Sequence, residues 1–201
     1  MVNIKLTKSE LRTQQLKLNQ LSRYLPTLQL KKAMLQTEVL AAAQEIEALQ
    51  SNYLEQKKEA ESFQILLSSD HTLDLLDSLS IVEIKKDYES IAGVEIPRFQ
   101  DVMFSEASYS LFDQPFWFDD ALIFLKGLII SKEKVVVAKQ KKKLLEQELR
   151  DVSIRVNLFE KILIPRTMEN IKKIKVFLGD QQLAAICQAK VAKRKILEHS
   201  A

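Results

Sequence analysis

Residues 11–67 read LRTQQLK LNQLSRY LPTLQLK KAMLQTE VLAAAQE IEALQSN YLEQKKE AESFQIL L when broken into sevens. The first and fourth residue of each seven give Leu11, Gln14, Leu18, Leu21, Leu25, Leu28, Lys32, Leu35, Val39, Ala42, Ile46, Leu49, Tyr53, Gln56, Ala60, Phe63 and Leu67. Fourteen of these seventeen are apolar, against 46% for the chain. Alternating steps of three and four average 3.5 residues, so the apolar positions form a stripe that winds left-handedly around a partner helix. A helix over 6–69 would be roughly 95 Å long, too thin to bury that stripe alone.

The partner is the other end of the chain. Leu145, Leu149, Val152, Val156, Phe159 and Leu163 also step by fours and threes. Past Pro165 the stripe slips by one residue, to Ile164, Ile171, Ile174 and Leu178. Proline lacks a backbone donor and crowds the carbonyl four residues back, so bends are expected at Pro165 and at Pro26. Antiparallel helices would bring those two sites near each other.

Composition excludes most other folds. The 201 residues hold three glycines and four prolines, where an average chain would carry roughly 24 of the two together. Sheet-rich and doubly wound folds need more turns than seven such residues supply. Six of the seven lie at or beyond residue 93, and Gly93, Pro97 and Pro115 separate the two helical patterns. Between them, Ser80–Lys85 is rich in β-branched residues and Val94–Phe99 alternates cleanly, which predicts two short strands around a turn at Ser90–Gly93. Asp113-Gln114-Pro115 reads as the start of the second helix, with Asp119 and Asp120 favouring its positive end. The expected fold is all-α: a long antiparallel two-helix coiled coil with a short β-hairpin and irregular segment at its base. Its parts are an N-terminal helix over 1–78, a central segment over 79–114 and a C-terminal helix over 115–201, forming one elongated unit.

Charge is segregated along the chain. Residues 1–35 carry seven basic and one acidic side chain, residues 160–201 nine and four, and residues 68–120 three and twelve. A hairpin of helices would therefore have a basic tip and an acidic base, with different partners at each.

The sequence has no catalytic signature: no phosphate-binding glycine loop, no GxGxxG, no HExxH and no CxxC. His71, His199 and Cys187 read as isolated solvated or filler residues. The lone cysteine permits no internal disulfide and fits a reducing compartment. Lys139, Lys141, Lys142 and Lys143 read as a solvated face, since no aromatic side chains interleave to stack on bases and Glu146 and Glu148 follow. Phe116-Trp117-Phe118 reads first as a plug for the open end of the coiled coil and second as a docking surface. No run of about 20 apolar residues is present.

One stretch is more specific. Arg155-Val156-Asn157-Leu158-Phe159-Glu160, the apolar run to Ile164, Pro165-Arg166, and Glu169-Asn170-Ile171 resemble the RVN…IPR…ENI signature of the D subunits of V-type and A-type rotary ATPases. Leu6–Leu11 and Leu30-Lys31-Lys32 resemble the family's opening helix. A glycine common in that helix is replaced around Leu25-Pro26-Thr27-Leu28, and Gly179–Ile186 replaces a Glu/Arg-rich stretch, as in a divergent bacterial branch. The resemblance implies a non-catalytic central rotor shaft, without cofactor or metal, that carries torque between a catalytic ring and a membrane rotor during proton or sodium transport.

On that resemblance, Lys8, Arg12, Lys190, Lys193 and Arg194 would face the ring of A and B subunits. Arg155, Asn157, Glu160, Pro165, Arg166, Glu169 and Asn170 would form the shaft motif. Ile84, Val94, Ile96, Phe99 and Trp117 would dock the small F subunit and the membrane-rotor adaptor. The chain would be cytoplasmic and peripheral on the inner face of the cell membrane, without inserting into it and without binding nucleic acid. A prefoldin-like chaperone, or less readily a nucleic-acid-binding coiled-coil arm, is the rival reading.

Overall fold

The computed structural model describes residues 4–62, 79–105 and 115–199. Helix α1 spans Lys8–Ser62. Strands β1 (Ile81–Ile91) and β2 (Val94–Phe104) follow. Helix α2 (Phe118–Leu158) continues through a single π-turn, Phe159–Leu163, into helix α3 (Ile164–His199). The fold is thus two long helices with one antiparallel hairpin between them. Two compact units partition it: Met1–Lys32 with Asp151–Ala201, and Ala33–Arg150.

Helix α1 starts where the sequence caps it. The Glu10 N–H donates to Thr7 Oγ1 (3.3 Å), so Thr7 satisfies one of the first turn's unpaired donors, and the Thr7 carbonyl accepts the first helical bond from the Leu11 N–H (3.0 Å). The heptad stripe holds throughout: every position of the series from Leu11 to Ala60 is buried or half-buried, including Gln14, Lys32 and Gln56. Leu21, Leu35, Ala42 and Ile46 are its best-covered members. Phe63 and Leu67, the last two of the series, lie outside the described residues. The opposite seam buries Leu145, Val152 and Val156, then Ile171 and Ile174. Each Leu or Ile so buried contributes about 1.5–3 kcal/mol of transfer free energy.

The one-residue slip in the second stripe has a backbone cause. The Ile164 N–H donates to the Phe159 carbonyl, five residues back, where an α-helix would use Glu160. Pro165 has no N–H to offer Lys161, so the wider turn sits where the α-helical ladder is already interrupted. The π-turn admits one extra residue, and Thr167, only 4% exposed, takes a seam position. Its hydroxyl donates to the Leu163 carbonyl (2.6 Å), which satisfies it in place. Pro26 lies inside α1 without ending it.

The hairpin is longer than its sequence pattern. Strand character was expected over Ser80–Lys85 and Val94–Phe99, yet each strand runs 11 residues. Two register shifts explain the difference. Val82 is extra between the Ile81–Phe104 and Glu83–Met103 pairs, and Gln100 is extra between Lys85–Asp101 and Lys86–Phe99. Each bulge moves the inward-facing set by one, so the period-two signal fades while pairing continues. Ala92 (φ 51°) and Gly93 (φ 77°) form a two-residue turn with both φ positive, the form that matches strand twist. Pro97 pairs with Tyr88. In a two-stranded sheet both strands are edges, and the missing donor is tolerated.

Helix α2 begins at Phe118 rather than at Pro115. The Pro115 carbonyl accepts the Phe118 N–H (3.0 Å), forming a turn ahead of the helix. Asp119 and Asp120 occupy the first helical turn as expected.

Candidate functional site

Within Ala33–Arg150 the hairpin packs along α2. The Lys126 ammonium lies 5.5 Å from the Phe104 ring centre, and Lys134 lies 5.7 Å from Phe99. Farther along, Lys86 donates to Gln140 Oε1 (3.2 Å). The Lys141 ammonium meets Glu45 of α1 at 2.9 Å, tying the two helices at that level. These contacts run β2 antiparallel to α2 and hold the sheet with cations lying over aromatic faces.

The residues expected to dock partners at the base divide. Ile96 is 1% exposed and serves the chain's own core, whereas Ile84, Val94, Phe99 and Trp117 are half-buried. The aromatic triplet divides too. Phe118 is buried with Leu79 and Leu122, Trp117 packs against that cluster, and Phe116 is 98% exposed. The plug is therefore Phe118. The outward-exposed apolar residues include Phe116 and, on the hairpin, Ile81, Val82, Tyr88 and Met103.

Within the unit formed by both chain ends, Gln14 and Lys17 of α1 share a pocket with Leu163, Arg166 and Asn170. Carried along an antiparallel pair, that register sets Lys8 about level with Val176. The tip residues therefore form two groups. Lys8 and Arg12 lie on the paired section. Lys190, Lys193 and Arg194 lie roughly 20–27 Å farther along α3 than the level of Lys8, at about 1.5 Å per residue. Arg194 pairs with Glu198 one turn on (3.7 Å).

From Gly179 to Glu198 every residue of α3 is exposed, including Leu183, Ile186, Val191, Ile196 and Leu197. Ile4 and Lys5 lie away from this stretch, because they turn back to line the pocket beside Arg166. Cys187 is exposed on it.

The polar members of the shaft motif lie on the surface. Arg155, Asn157, Glu160, Pro165, Arg166 and Glu169 are exposed and Asn170 is half-buried, while the apolar residues among them form the seam. Only Arg166 and Asn170 converge on the pocket, together with Lys5 and Lys17, which sequence reasoning had not chosen. The available signal was Gln14, a polar residue inside the apolar stripe. Among the described residues no three His, Cys, Asp or Glu side chains group as a metal site, and no helix is long and apolar enough to cross a membrane. His71 lies outside the described residues.

Residues 10–194 match the family model for the D subunit of ATP synthase. The chain belongs to the ATP synthase D-subunit family. Relatives named as the D subunit of a V-type ATP synthase agree with that membership over nearly their full length. The chain is 46% identical to the one from Chlamydia muridarum over 202 residues, covering 98% of this chain and 97% of the relative. It is 44% identical to that of Chlamydia felis over 194 residues, covering 96% and 93%. It is 44% identical to that of Chlamydia pneumoniae over 196 residues, covering 97% and 94%. The match spans the RVN…IPR…ENI stretch and the exposed end of α3 up to Arg194, so the signature read from the residues and the family agree.

Proposed function

We propose that this chain is the central shaft of a V-type ATP synthase complex, carrying torque between a catalytic ring of A and B subunits and a membrane rotor. Family membership supplies the machine, and the disposition of α3 supports the role. Twenty consecutive exposed residues carry five large aliphatic side chains, and no described part of the chain covers them. Such a surface suits an enclosing partner. Of the tip basic residues, Lys190, Lys193 and Arg194 belong to this bare part of α3, and Lys8 and Arg12 face the ring from the paired section beside it. The outward face of the hairpin, with Phe116 and Trp117, is the docking surface for the F subunit and the membrane-rotor adaptor. The shaft is non-catalytic and works at the cytoplasmic face of the membrane without entering it. A prefoldin-like chaperone or a nucleic-acid arm is not favoured by the family match.

Removal of residues 179–201 tests this directly. The truncated chain is expected to keep the helicity of its remaining residues and its melting temperature while failing to assemble with the A–B ring, and binding of the F subunit is expected to survive. Ring assembly that survives truncation, with ATP hydrolysis still coupled to rotation, would overturn the shaft reading. Titration of the isolated chain with ATP in a calorimeter is expected to give no saturable heat, because no glycine-rich phosphate cradle exists in the sequence.

A further inference from the structure

The unit formed by both chain ends contains a notch of about 480 Å³ beside the π-turn. Its polar lining, besides Thr167, is Lys5, Glu10, Gln14, Lys17, Arg166 and Asn170. Local structure assembles it. The cap at Thr7 turns the preceding segment back along α1, which brings in Lys5. Gln14 and Lys17 lie one turn apart on α1, and Arg166 and Asn170 one turn apart on α3.

The lining is unbalanced. The one carboxylate, Glu10, already accepts the Gln14 amide (2.8 Å). Thr167 on the floor is satisfied by the Leu163 carbonyl. Lys5, Lys17, Arg166 and Asn170 make no ion pair or side-chain hydrogen bond among the described residues. Two ammoniums and a guanidinium thus converge with an amide on a lining that holds a single carboxylate, and cationic donor sets of this kind recognise oxyanions.

We propose that the notch receives an acidic side chain, Asp or Glu, on a loop of the catalytic ring. Arg166 grips the carboxylate through paired N–H donors, Asn170 adds its amide, and Lys5 and Lys17 steer the approach. This rests on the shaft reading above. A tethered carboxylate fits better than a free anion because Lys5, Lys17 and Arg166 are all exposed. Salt screens such groups against dilute ions, whereas a loop held by an enclosing partner arrives at high effective concentration. A single notch engages one ring loop at a time.

The test uses the full-length chain and its own catalytic ring at low salt. Arg166→Glu is expected to weaken ring binding about tenfold, the scale of a lost charge-assisted hydrogen bond. Arg166→Lys is expected to give a smaller loss, because a point charge cannot make the paired contact. Lys172→Glu, on the same helix with the same charge change but outside the notch, is expected to stay within about twofold. Circular dichroism confirms that all three variants fold. Carbodiimide treatment of the wild-type complex is expected to join Lys5 or Lys17 to an Asp or Glu of the ring.

Equal losses from Arg166→Glu and Lys172→Glu, or no cross-link from Lys5 or Lys17, would overturn the notch while leaving the shaft intact. Saturable binding of inorganic phosphate to the free chain, abolished by Arg166→Glu, would assign the notch to a free anion and overturn the loop. Failure of the wild-type chain to bind the ring would overturn the shaft reading and the notch with it.

Discussion

The last helix has two halves that look alike in sequence and differ in the structure. From Ile164 to Leu178, the apolar residues at three- and four-residue spacing lie against α1, and Ile174 is fully buried. From Gly179 to Glu198, Ala185, Ala189, Ala192 and Ile196 continue a similar spacing, and nothing is buried. Apolar periodicity therefore reports that a helix face wants cover but not what covers it. In the first half the cover is the same chain. In the second half α1 has ended, and Ile4 and Lys5 ahead of it have turned back.

The largest expected effect breaks the resemblance between the halves. Ile174→Ala removes a fully buried side chain and is expected to cost about 2–5 kcal/mol of unfolding free energy, measured by denaturant titration. A loss below about 1 kcal/mol would mean that the seam is not packed as described. The next effect lies outside the last helix, in the hairpin turn. Ala92 holds a positive φ that an L side chain disfavours, and Ala92→Gly is expected to stabilise the hairpin by about 1 kcal/mol. Hydrogen exchange across β1 and β2 would report it as slower opening. The smallest effect lies on the bare half. Ile186→Ala, with Ile186 57% exposed, is expected to change the stability of the isolated chain by no more than about 0.5 kcal/mol. A larger destabilisation would show that the exposed half is already covered in solution.

The fold was readable where many weak signals add. Fifteen heptad positions of α1, from Leu11 to Ala60, agree with burial because each contributes a little to the same stripe. The scarcity of turn residues pointed the same way. Strand length was not readable, because bulges at Val82 and Gln100 cancel alternation without ending pairing. The aromatic triplet was half readable. Three adjacent residues must point in different directions on entering a helix, and local sequence did not say that Phe118 would face inward and Phe116 outward.

The notch was least readable of all. It depends on a chain reversal ahead of Thr7 and on the face to which Arg166 turns after Pro165, and neither is periodic. The motif resemblance had picked out Arg166 and Asn170 but gave no reason to set them apart from Arg155 or Glu169.

The π-turn also determines the angular phase of everything beyond it. If Phe159–Leu163 tightened to an α-helix with no residue lost, the rest of α3 would rotate by about 100° about its own axis. The seam would then continue from Val156, Phe159 and Leu163 to Arg166, Asn170 and Lys173, while Thr167, Ile171 and Ile174 swung toward water. Burying a guanidinium and an ammonium in place of two isoleucines is prohibitive. The wide turn is therefore locked by the packing downstream and cannot act as a loose swivel. A shaft that must deliver rotation from one end to the other keeps its angle at this point because slipping by one residue would drive charge into its core.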